Sequence, residues 1–288
     1  MFQSLRVPST TSFAKSLSIA MTLFLCCCFC ASAYAEETAN VHPFLSETFN
    51  VQLGVYLPRR NIFVRVDGSA GGENIGIDFD ENLQLSKNDN LFALEFTWRF
   101  GEKWSLRSQY FDSSTRKSSV LQEDIEWGDD IIQAGSSVSA GSSQTIKRFF
   151  FGRSFDSSPE YDYGVGMGVH WLNTGVFVER DFATDFGDAS AVSASGPLPN
   201  IGGWFYYSPT AKWLVGGRLD WFEASVGDYA GSIINVGVGA NYQFAEHFGI
   251  GAKYQIFELA AEIRNKPVWR GRLETKYDGL YLYLSGNW

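Results

Sequence analysis

The chain has 288 residues, with 23 Lys and Arg against 32 Asp and Glu and a formal net charge of −9. That acidic balance, without a basic cluster, argues against nucleic acid or an anionic membrane surface as a partner. All four cysteines fall between Cys26 and Cys30, so nothing downstream can form a disulfide or a thiolate metal site, and 29 Gly with 16% aromatic residues suit a curved sheet at an interface.

At the N terminus, Arg6 and Lys15 accompany a short apolar run, 18–30, and Ala33-Tyr34-Ala35 offers a small-x-small cleavage site before Glu36. This pattern predicts a cleaved secretory signal peptide over 1–35. The run falls short of the roughly 18 to 20 residues that an anchoring helix requires. Leu25 before Cys26 and Phe29 before Cys30 are too large for a lipoprotein cleavage site. Export without disulfides points to a bacterial envelope. Residues 36–49 are expected to form a short periplasmic segment, and 50–288 a single β domain.

The first predicted strand covers 50–67, where Val51, Leu53, Val55 and Leu57 share a face. After Pro58-Arg59-Arg60 the beat moves to Ile62, Val64 and Val66, which predicts a bulge or a separate hairpin. The stretch IGIDFDENLQL at 75–85 would add one more pair. Over 91–100, Phe92, Leu94, Phe96, Trp98 and Phe100 alternate with Ala93, Glu95, Thr97 and Arg99. Past Gly101-Glu102-Lys103 the beat resumes, with Trp104, Leu106 and Tyr110 against Ser105, Arg107 and Gln109. Further strands are expected over 103–126, 138–155, 161–180, 199–208, 212–223, 232–244, 247–261 and 276–288. One face carries bulky residues such as Val165, Met167, Leu219, Val238 and Ile250; the other carries glycines, amides and His170, Arg218, Asp220 and Lys253.

A water-soluble sandwich would turn a face rich in Lys, Glu and Thr outward. Here the polar face holds glycine, amides and isolated charges of both signs, which suits a crowded wet interior and leaves lipid as the solvent of the bulky face. Lipid admits only helices or closed barrels. Short links flanked by aromatics occur at Phe100/Trp104, before Tyr163, between Tyr207 and Trp213, and between Phe244 and Phe248. With Trp288 these eight rings would form one aromatic girdle. The other connections, 68–89, 127–137, 181–198, 224–231 and 262–275, are longer and more polar. Four short turns, with both chain ends on the same side, give an all-β, closed antiparallel transmembrane β-barrel of about ten strands, eight to twelve fitting the pattern. Several strands exceed the roughly 9 to 11 residues that cross a bilayer, so they should project beyond it.

The last strand places Leu280, Leu282, Leu284 and Trp288 on one face and ends on Trp288. A terminal aromatic on an alternating strand resembles the signal read by the barrel-assembly machinery, with Trp for the usual Phe and Gly286 where a second aromatic is common. IGIDFDENLQL, FTWRFGEKWSLRSQYFDSSTR and DIEWGDD resemble segments of a family of largely uncharacterised proteobacterial outer-membrane barrel proteins. The resemblance implies a small Gram-negative outer-membrane barrel in contact with outer-membrane lipids and lipopolysaccharide. Barrels of this size serve as anchors, narrow channels, adhesins and enzymes, so it implies a scaffold and leaves the activity open.

The candidate interior residues are Glu95, Arg99, Arg107, His170, Arg218, Asp220 and Lys253. Of the three histidines only His170 falls on a strand; as a general base it would need a substrate, whereas a hydrogen-bonded network filling a narrow barrel needs none. An outer-membrane lipase or lipid A deacylase, the enzyme alternative, would need Ser and His together near the lipid-exposed outer rim, and the pattern puts no histidine there. Asp78 to Asn82 opens like a calcium loop, but Leu83 stands where Gly is needed and Asp89 where Glu is expected. Glu123, Asp124, Glu126, Asp129 and Asp130 form a second acidic group, read as a solvated loop. No catalytic residue, metal site or cofactor is expected, and the expected role is structural or that of a narrow channel.

Overall fold

The computed structural model describes residues 41–67, 77–78, 91–127, 130–180, 190–264 and 270–288. The signal-peptide reading, the calcium-loop comparison beyond Asp78 and most of 75–85 therefore lie outside the described residues.

Among the described residues a single turn of helix, α1 (Pro43–Ser46), precedes thirteen strands: β1 (Phe49–Val66), β2 (Ile77–Asp78), β3 (Leu91–Phe100), β4 (Trp104–Val120), β5 (Ile125–Trp127), β6 (Asp130–Ile132), β7 (Ser137–Ser157), β8 (Tyr161–Arg180), β9 (Ser190–Thr210), β10 (Trp213–Val226), β11 (Tyr229–Gln243), β12 (Phe248–Ile263) and β13 (Gly271–Asn287). Ten of them pair in the order β1-β3-β4-β7-β8-β9-β10-β11-β12-β13, and β13 pairs back to β1, so the expected ten-strand antiparallel sheet closes on itself. Closure is continuous from Asn50↔Asn287 to Val66↔Gly271. β5 and β6 form a separate hairpin after β4, held in part by the Ala134 N–H donating to Asp124 Oδ1 at 2.8 Å, and β2 pairs with Phe63 and Val64.

Turn chemistry explains the short-turn end. Gly101 has φ 62°, a conformation that costs glycine nothing and opens the β3–β4 turn. At the opposite end Gly227, φ 60°, closes a two-residue turn between Val226 and Tyr229. The region 224–231, expected to be a long loop, is therefore strand almost to its tip. β9 likewise begins at Ser190 rather than 199, because 190–198 continues the ladder with β8 from Val178 to His170. Its prolines, Pro197 and Pro199, lie beyond Ile201, where pairing with β10 has ended. Proline is tolerated on such an open edge.

The bulge expected after Pro58 is absent: the register with β13 runs through Pro58↔Gly279, Arg59↔Asp278 and Arg60↔Tyr277 without a shift. What changes there is the medium. Below Pro58 the exposed positions are Phe49, Leu53, Val55 and Leu57; above it Ile62 and Val64 are buried, although strand parity never alters. The same inversion runs round the barrel. On β8, Val165, Met167 and Trp171 face out while Leu172, Val176 and Val178 face in. Outward apolar positions stop at Leu57, Tyr110, Phe149, Trp171, Trp221, Ile256 and Leu280, and the next outward residues are Arg59, Asp112, Lys147, Asn173, Glu223, Glu258 and Asp278. The apolar belt is thus about seven to eleven residues tall, nine on most strands, close to the roughly 9 to 11 residues that cross a hydrocarbon core when tilted. β1 itself has 18 residues, an extent of about 60 Å, so roughly half of it stands above the belt as a water-facing wall with an apolar inside. β7, β8 and β9, with 21, 20 and 21 residues, are the tallest part of that wall.

Candidate functional site: the filled interior and the lipid-facing belt

The interior is built in three layers, because inward side chains meet different surroundings along each strand. Above the belt the layer is mainly apolar: Phe111 lies edge-on to Phe257 at 5.6 Å and to Tyr277 at 6.1 Å, with Tyr56, Ile62, Val64, Ile146, Leu172, Ile233 and Leu259 buried around them, and Arg60, also buried, donates to Ser113 Oγ at 3.3 Å. Water is on the outside of this part, so the hydrophobic effect drives its bulky residues inward as in a soluble protein.

At the level of the belt lipid lies outside, and the interior is polar. Asp220, fully buried, is clamped by Arg148 through Nε and Nη2, both at 2.6 Å, and by Arg218 Nη1 at 3.1 Å. Glu95 takes Lys253 Nζ at 2.6 Å and Gln109 Nε2 at 3.0 Å. Arg218 Nη2 also donates to Gln109 Oε1 at 2.6 Å, and Lys253 to Gln52 Oε1 at 2.9 Å, so the two ion pairs are bridged into one network. His170 is 1% exposed: its Nδ1 lies 3.2 Å from Asn200 Oδ1 and its Nε2 3.3 Å from Asn235 Nδ2. Those partners assign a neutral ring, with the proton on Nδ1 and Nε2 accepting. With both nitrogens engaged and Phe257 6.1 Å away on the apolar side, His170 has no open face for a substrate.

The lowest layer lies at the short-turn end. Asp162 accepts from Arg99 Nη1 at 3.1 Å and Ser154 Oγ at 2.6 Å, while Arg107 stands 3.5 Å from the same carboxylate and 3.9 Å over the Trp204 ring. Residues of the N-terminal segment enter here. His42 and Phe44 are buried; Phe44 meets the Tyr206 ring at 4.9 Å and its carbonyl accepts from Arg99 Nη2 at 2.7 Å. His42 caps α1, its Nδ1 accepting from the Phe44 N–H at 3.1 Å. Burial pushes His42 down to about 4, with Asn241 acting in the opposite direction. A space of about 30 Å³ remains between Phe44, Tyr206, Arg218, Asn241 and Lys253, room for a water molecule or two and no more.

The seven interior candidates singled out in the sequence are placed as follows: Glu95, Arg218, Asp220, Lys253 and the neutral His170 in the middle network, Arg99 and Arg107 below. Arg148 and Asp162, central partners of these, escape a sequence reading. Arg148 is followed by Phe149, Phe150 and Phe151, which hides the alternation, and Asp162 sits beside a turn; the outward pairs Phe149/Phe151 and Tyr161/Tyr163 are the signals that place them inside. Phe100, Trp104, Tyr163, Tyr207, Trp213, Phe244, Phe248 and Trp288 all stand on the outer surface next to the short turns, with Trp104 stacked on Phe151 at 5.0 Å and Phe248 edge-on to Trp288 at 6.2 Å. Trp288 also ties the closing seam: its N–H donates to the Phe49 carbonyl at 2.9 Å and its carbonyl accepts from the Phe49 N–H at 2.6 Å. Among the described residues no group of three or more His, Cys, Asp or Glu is placed to hold a metal ion.

No protein-family model and no curated protein matches the chain. Solved structures do match. The outer membrane protease OmpT of Escherichia coli is 11% identical, the match covering 88% of this chain and 99% of that one with a TM-score of 0.55. OprG, an outer membrane protein of Pseudomonas aeruginosa, is 12% identical over 86% of this chain and 98% of that one, TM-score 0.38. The toluene transporter TodX of P. putida is 13% identical over 85% of this chain and 91% of that one, TM-score 0.36. At such identities the likeness to OmpT speaks for the fold. Together with the apolar belt, it makes the chain a membrane-spanning β-barrel of the Gram-negative outer-membrane architecture.

Proposed function

We propose that this protein is an integral outer-membrane barrel whose role is structural: a filled, non-conducting cylinder that anchors a water-facing wall, tallest at β7 to β9, above the outer leaflet. The observation that carries this reading is the stacking of three filled interior layers. Among the described residues the Asp220 network is capped by the Phe111 cluster above and closed by the Phe44 plug below, and the space between network and plug is about 30 Å³. A narrow channel through the Arg218 and Lys253 layer would have to displace both the plug and the apolar layer. A lipid-modifying enzyme of the Ser-His type is the less supported alternative, because the three histidines of the chain lie in the plug, in the sealed network and beside the β11–β12 turn, all away from the outer rim. The terminal strand, closed on β1 through Trp288, supports recognition by the barrel-assembly machinery. Planar-bilayer recording tests the reading. Silence is expected from the wild type; a steady conductance that shifts when Arg218 is neutralised would replace the structural role with a channel.

A further inference from the structure

We infer that the outer wall between β4 and β10 binds a phosphorylated glycolipid of the outer leaflet, its phosphate on Lys147 and an acyl chain in the groove beneath. The groove, about 630 Å³, is walled by Phe149 and Phe151 on one side and Trp221 on the other, with Met167, Val169 and Ile201 between them. It is almost wholly apolar and opens on the belt, where only hydrocarbon is at hand. Directly above Phe149, the outward residue of β7 is Lys147, and register pairs it with Tyr110 on β4 and Trp171 on β8. A cation between two amphipathic rings at the edge of the belt marks the depth of lipid head groups.

Charge separates Lys147 from the other outward cations near this boundary. Arg59 is paired with Asp278 at 2.5 Å, Lys276 with Glu258 at 2.5 Å and Arg116 with Glu179 at 2.9 Å. Lys147 has no ion pair among the described residues, and the acid one outward step above, Asp112, accepts the Thr145 hydroxyl at 2.6 Å instead. Glu223 lines the β10 edge of the groove, so the anionic head group belongs on the β7 side, over Lys147. A neutral phospholipid would use the groove and leave the lysine idle; a phosphorylated glycolipid uses both.

The inference rests on the membrane placement of the belt and not on the filled interior. Its test is native mass spectrometry of detergent-extracted protein with three probes: phosphorylated lipid A, the same lipid without its phosphates, and a soluble glucosamine phosphate without acyl chains. Wild type should retain phosphorylated lipid A, with K147Q and the dephosphorylated lipid each about tenfold weaker, the factor that one charge-assisted contact carries. K147R should keep the binding, and V169W, which fills the groove, should weaken both acylated probes. Heat-modifiable migration in gels certifies that each variant is folded. Equal retention by K147Q, or equal binding of the dephosphorylated lipid, overturns the head-group site. Binding of the soluble sugar phosphate as tightly as lipid A overturns the groove. Bilayer recording of K147Q is expected to match the wild type, so failure here is distinct from failure of the structural role.

Discussion

Asp220→Asn is the sharpest perturbation of the filled interior. The carboxylate is fully buried and receives two donors from Arg148 at 2.6 Å, one from Arg218 at 3.1 Å and one from Asn235 at 3.5 Å. Neutralising it leaves two buried guanidinium groups facing a side chain that carries no charge. Breaking one partner of a buried ion pair costs ~3 to 5 kcal/mol, because the surviving charge has been removed from water without compensation. Arg218 retains Gln109 at 2.6 Å and Glu95 at 3.7 Å, so most of the loss should fall on Arg148. The double variant Arg148→Met with Asp220→Leu, which removes the stranded charge with its partner, should recover most of it. Urea titration in lipid vesicles, read by heat-modifiable migration, measures both. A cost below ~1 kcal/mol for Asp220→Asn would mean that water already reaches this layer, and the filled interior would have to be abandoned.

Other consequences can be checked on the same footing. Leu284→Arg, at a belt position 60% exposed, should cost ~2 to 4 kcal/mol in the vesicle titration, whereas Ser232→Arg, outward but above the belt, should stay within ~0.5 kcal/mol; equal costs would remove lipid from the picture. Phe111→Ala should lose ~3 to 5 kcal/mol, and a loss under ~1 kcal/mol would mean that the upper interior is hydrated. His42 has a folded-state value near 4, below the 6.5 of the unfolded chain. Its contribution is therefore complete above pH 6.5 and declines as pH falls toward 4, by at most about 3 kcal/mol. Hydrogen exchange of residues 43–48 should rise across that window in the wild type and stay flat in His42→Asn, which keeps an N-cap acceptor; an acid response surviving in His42→Asn would assign it elsewhere.

Within the belt the fold was legible because a single rule, bulky out and polar in, governs every strand. Val51 to Leu57, Phe92 to Phe100 and Phe248 to Ile256 carry it plainly, and the aromatic rings beside the short turns mark where it begins. Above the belt the rule reverses, and a reader expecting one period sees an irregularity. The shift from Leu57 to Ile62 suggests a bulge although the ladder with β13 is unbroken. Small residues dilute the pattern further: Ser190 to Gly196 pairs with β8 as regular strand, yet presents no large side chain to betray it. Interior partners depend on register between strands far apart in sequence. Arg148 and Asp220 are 72 residues apart, a distance that no local spacing encodes.

The claim on which the rest depends is that the change of beat near Pro58 is a change of solvent around an unbroken strand. Spin labels placed singly at positions 51 to 65 of β1 in lipid vesicles measure this directly. Labels at 51, 53, 55 and 57 should collide with oxygen dissolved in the hydrocarbon, those at 59, 61, 63 and 65 with a water-soluble nickel complex, and even-numbered labels with neither. Exchange of parity beyond 58, with even positions becoming the accessible ones, would contradict the account.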